Sequence, residues 1–163
     1  MKKVNLLVAN SDRGLHNRIQ RLVLDVCFDQ TVVETTRIGR ADELVKLAST
    51  GVYQLVIVAA DDLVPGPGLR DSWVSADEAV RAIHAIRCQS DTPVIAVTVF
   101  PGEEAPLLEA GVECVVRLPF EDEKLKLAVR QALRMADPVG ESKPRRWSWN
   151  ELILRGFQRL KSA

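Results

Sequence analysis

Few side chains in this sequence could do chemistry, and the best placed of them are carboxylates. Asp61 and Asp62 stand side by side after the apolar run 55–60, and paired carboxylates are the oxygen ligands that hard divalent cations take. Asp12 follows another apolar run, 4–9, behind the neutral polar pair Asn10 and Ser11. Thr98 ends a third run with a hydroxyl. The nitrogen and sulfur groups make no motif. His16 and His84 lie in helical patterns and are expected to be exposed or satisfied rather than halves of a nucleophilic pair. Cys27, Cys88 and Cys114 are spaced for neither a disulfide framework nor a zinc set, and all three are expected to pack on apolar faces. Gly66-Pro67-Gly68 lacks the third glycine and the following helix of a dinucleotide fingerprint. The sequence thus predicts no catalytic residue, no cofactor and no metal.

The elements that must position these groups alternate regularly. Strands are expected at 4–9, 31–38, 55–60, 93–99 and 114–116, because these runs are apolar or β-branched. Helices are expected between them, with apolar residues at helical spacing: Leu15, Ile19, Leu22, Val23 and Val26 in the first, and Ala79, Val80, Ala82, Ile83 and Ile86 in the third. Ser75 and Glu78 form a capping box for that third helix, and Gly111 stops the fourth. The fifth helix spans 120–135. Strict alternation predicts an α/β fold, a doubly wound five-stranded parallel sheet with helices on both faces. Right-handed crossovers then gather the strand ends at 10–12, 59–62, 97–100 and 117–119 around one crevice.

These crevice residues carry a family resemblance. Residues 3–135 resemble the receiver domain of two-component response regulators, through the five-fold alternation, Ala96-Val97-Thr98, Glu109-Ala110-Gly111-Val112 and Val115-Val116-Arg117-Leu118-Pro119-Phe120. The resemblance implies a flavodoxin-like sheet in the order 2-1-3-4-5. It also implies a pocket built from an acidic pair, a phosphorylated Asp, a Thr or Ser and a Lys. This chain departs from that pattern at most positions. Asn10 and Ser11 replace the acidic pair, and Asp12 comes one position late, where it serves the first helix as an N-terminal charge. Leu118 stands where the Lys should be, with Arg117 pointing to the other face of its strand. Counted from the strand start, the acceptor slot holds Ala59; counted back from Pro65, it holds Asp61. The degenerate pocket is therefore Asn10, Ser11, Asp12, Ala59, Asp61, Asp62, Thr98 and Leu118, an atypical or pseudo-receiver site.

Two segments lie outside the alternation. The loop 61–74 is longer than such a junction needs. It offers Trp73 either as part of a lid over the crevice or as a recognition contact. The domain reading is a receiver-like body at 1–137, a linker at 138–146 and a C-terminal amphipathic helix at 147–163. In that helix Ser148 and Glu151 make a capping box and Trp147 with Leu152 a hydrophobic staple. Trp149, Leu152, Ile153, Phe157 and Leu160 line one face, with Gly156 permitting close approach.

Charge and composition narrow the function classes. The chain of 163 residues has 22 basic and 22 acidic side chains, and no apolar stretch long enough for a bilayer. Residues 138–163 hold six basic and two acidic groups, while the rest hold 16 basic and 20 acidic. An acidic body with a basic amphipathic tail predicts docking on protein: its own body, a second copy in a homodimer, or a partner such as a sensor kinase. A membrane surface is the weaker alternative. The tail is too short to be a helix-turn-helix reader, so nucleic acid is not expected. The sequence reads as a cytoplasmic, non-catalytic signalling module acting by protein contact. The alternatives are a phosphoaccepting regulator that uses Asp61 and a membrane adaptor anchored by its tail.

Overall fold

The computed structural model describes residues 2–27, 31–61, 77–99 and 101–134. The five apolar runs form β1 (Lys2–Ala9), β2 (Thr31–Ile38), β3 (Leu55–Ala59), β4 (Val94–Thr98) and β5 (Cys114–Arg117). Between and after them lie α1 (Arg13–Val26), α2 (Ala41–Ala48), α3 (Asp77–Gln89), α4 (Glu104–Ala110) and α5 (Asp122–Ala132). All strand pairs are parallel, and the order is β2-β1-β3-β4-β5, the flavodoxin-like arrangement that the alternation and the resemblance predict. The Ser75 cap, Trp73, the linker and the C-terminal helix lie outside the described residues.

Every residue of β3 and β4 is buried, as strands covered on both faces require. Alternate positions serve two cores. Leu55, Ile57, Ile95 and Val97 face α1 and α5, whereas Val56, Val58, Val94 and Ala96 face α2, α3 and α4. Burying the branched side chains among these, each worth roughly 1.5–3 kcal/mol before entropy and Ala96 less, fixes the register of the central strands. Helix ends follow local chemistry. The Asp12 carboxylate caps α1, accepting from the amides of Gly14 at 2.7 Å and Leu15 at 3.3 Å. Gly111 ends α4 at φ 109°, a left-handed conformation that glycine adopts without strain.

Helix α5 is tied to α1 from across the chain. Arg18 donates through Nε (2.9 Å) and Nη2 (2.6 Å) to Asp122 Oδ1, and through Nη2 to the Phe120 carbonyl at 2.8 Å. Its guanidinium also lies 4.2 Å from the centre of the Phe120 ring. The hydrogen bond from Arg18 is the largest influence on the Asp122 carboxyl, and with the charges of Arg18, Arg21 and Lys126 it holds that carboxyl below its usual range against the opposing desolvation.

Candidate functional site

The strand order reverses between β1 and β3, since β1 pairs with β2 on one side and β3 on the other. In a doubly wound sheet this switch opens a crevice at the carboxyl ends of the strands. Ala59 is the last residue of β3, pairs in register with Val97 and is buried. A methyl group therefore occupies the strand-end position. The ladder runs one step further, with the Ala60 amide donating to the Val97 carbonyl at 2.8 Å. That step carries Asp61 to the mouth of the crevice, half-buried.

There the Asp61 carboxylate is held through both oxygens. Thr98, fully buried, donates its hydroxyl to Oδ1 at 2.9 Å. The Val99 amide donates to Oδ2 at 2.6 Å. Short bonds to an ionised carboxylate are the stronger class of hydrogen bond. On the other side of β4 the Thr98 carbonyl accepts from the Leu118 amide at 2.7 Å. The end of β4 is thus gripped by the turn after β3 through its side chain and by the end of β5 through its backbone.

The β1 side of the crevice is neutral. Asn10 is buried at 1% exposure. Its amide group donates to the Asp12 carbonyl at 2.7 Å, and its Oδ1 is without a hydrogen-bond partner among the described residues. Ser11 is exposed, and the Asp12 carboxylate, also exposed, is directed to the helix cap. Arg117 is exposed, whereas Leu118 is half-buried and packs against the core beneath α1 and α5. Asp62 lies outside the described residues. Among the described residues no three carboxylate, imidazole or thiol groups come together as a metal site.

The structure therefore brings Asp61 and Thr98 together, with Asn10 at the same sheet end. It directs Asp12 and Leu118 to helix capping and core packing. The Val99 amide was not visible as a participant from sequence, because a backbone donor leaves no mark in residue type. The expectation that all three cysteines pack on apolar faces needs correcting: Cys27 is buried and Cys114 half-buried, but Cys88 is exposed. It sits off the stripe Ala79, Ala82, Ile83, Ile86 that α3 buries, and its sulfur lies 3.8 Å from Nδ1 of His84. Helical phase could have revealed both facts. His16 keeps its Nδ1 buried, and burial together with the positive charge of Arg37 lowers its pKa.

Solved structures share this architecture. The receiver domain of a sensor histidine kinase from Pseudomonas aeruginosa, solved with magnesium in its active-site cleft, aligns with TM-score 0.61 at 17% identity, covering 81% of this chain and 98% of that one. A signal receiver domain from Clostridium thermocellum aligns with TM-score 0.63 at 17% identity, again over 81% of this chain and 98% of that one. The fold is that of receiver domains. The receiver fold also occurs in a protein from Burkholderia thailandensis named as a pilus assembly protein, with TM-score 0.57 at 23% identity over 81% of this chain and 99% of that one. No protein-family model matches the sequence, and no curated protein matches it.

Proposed function

We propose that this chain is a signalling module of the receiver type that works by protein–protein contact, without magnesium-dependent aspartyl phosphorylation. One observation carries the reading: the carboxylate at the crevice mouth, Asp61, already has both oxygens engaged, by the Thr98 hydroxyl and the Val99 amide. A carboxylate used in this way is an internal ligand that locks β3 to β4. The neutral, buried Asn10 and the packed Leu118 support the same reading, since neither supplies a charged ligand for a cation or a phosphoryl oxygen. The module then acts in the cytoplasm on protein partners, a sensor kinase or another signalling protein. The amphipathic segment 147–163 is its docking element, taking a partner or a second copy. That a pilus assembly protein shares the fold supports a role for receiver-like bodies in assemblies as well as in phosphorelays.

A second reading has its own observation. Asp61 is half-buried, stands at a strand end and lies within 2.9 Å of a threonine hydroxyl, so it is the carboxylate that a phosphodonor would reach. Incubation with acetyl phosphate and Mg²⁺ followed by intact-mass measurement separates the two readings. Unchanged mass is expected. A phosphoryl adduct that disappears in Asp61→Asn makes the second reading correct.

A further inference from the structure

The outward face of α3 carries a feature that the crevice does not use. His84 and Cys88 are one helical turn apart and both exposed, with Cys88 Sγ 3.8 Å from His84 Nδ1. A tetrahedral ion bound at about 2.3 Å to sulfur and about 2.0–2.1 Å to nitrogen spans a sulfur–nitrogen distance of about 3.5 Å. The pair therefore stands within a few tenths of an ångström of a chelate bite, and the i,i+4 spacing of the helix holds it there. The flanking cations are engaged elsewhere. Arg81 pairs with Glu78 at 3.2 Å, and Arg87 turns to the Gly111 carbonyl at 2.6 Å and to Glu113 at 3.3 Å. The other thiols are poor competitors: Cys27 is buried, and burial pushes the Cys114 thiol up.

We propose that His84 and Cys88 form a surface chelate for a thiophilic divalent cation of the zinc class. A thiolate and an imidazole suit such an ion and discriminate against Mg²⁺ and Ca²⁺, which take oxygen ligands. The described residues bring no third ligand to the pair.

The test uses the full chain, Cd²⁺ as probe, and the ultraviolet thiolate-to-cadmium charge-transfer band as readout. A saturable band is expected in the wild type, displaced by Zn²⁺ and untouched by excess Mg²⁺. Cys88→Ser should lose the band. His84→Ala should keep it with affinity weaker by about tenfold or more, because the second ligand no longer binds within the same molecule. Both positions are exposed, and matching denaturant midpoints will show that the variants fold. The site is refuted by a full-strength band in Cys88→Ser, by unchanged affinity in His84→Ala, or by no band in the wild type.

Discussion

Removing the Thr98 hydroxyl should uncouple β4 from the turn after β3. Thr98→Val keeps the outline of a fully buried side chain and deletes the donor that Asp61 Oδ1 accepts at 2.9 Å. A hydrogen bond to a charged group contributes roughly 1.5–3 kcal/mol. Asp61 is half-buried, so water replaces part of what is lost, and the lower end applies. In a double-mutant cycle with Asp61→Ala the coupling energy should then be about 1.5 kcal/mol. For a chain of this length that corresponds to about 3–6 °C in melting temperature. Urea unfolding of the wild type, both single variants and the double variant measures it, provided that the slopes agree. A coupling energy under about 0.5 kcal/mol, the scatter expected of independent sites, would refute the tie.

The folded-state pKa of Asp122 is lowered, chiefly by its hydrogen bond from Arg18, so its contribution to stability is complete above the unfolded carboxylate value and lost as pH falls through the folded one. Urea midpoints taken at decreasing pH should fall less steeply in Asp122→Asn than in the wild type. Gly111→Ala should cost about 1–3 kcal/mol in a chemical melt, since φ is 109° and a Cβ there would stand 2.9 Å from Arg87 Cγ. Asn10→Asp should destabilise by about 2–4 kcal/mol at neutral pH, because it buries a charge and loses the 2.7 Å donor to the Asp12 carbonyl; acid that protonates the new carboxyl should recover part of the loss.

The sheet was legible because its signals are local. Runs such as Leu55–Ala60 and Val94–Thr98 admit no exposed face, and Asp12 and Gly111 mark helix ends by chemistry that acts within one turn. The Asp61 contact was not legible. Counting from the strand start and counting back from Pro65 give acceptor positions two residues apart, and neither count shows which donors on β4 a side chain there will meet. Ala59 holds the strand-end slot, and Asp61 lies past it at the height of Thr98 and Val99. The same limit hid the Arg18–Asp122 tie, which joins residues 104 apart in sequence through tertiary packing alone. Cys88 is a different case, because the phase of α3 already placed it opposite the buried stripe.

Asp61 serves as an internal ligand to β4, and the Val99 amide reports on it directly. Its ¹H–¹⁵N resonance can be followed while acetyl phosphate and Mg²⁺ are added to the full chain, with Asp61→Asn as reference. The resonance should differ between the wild type and Asp61→Asn before any addition, and should stay in place in the wild type afterwards, because its acceptor remains the same carboxylate. A phosphodonor-dependent shift of Val99 in the wild type, absent in Asp61→Asn, would contradict that role.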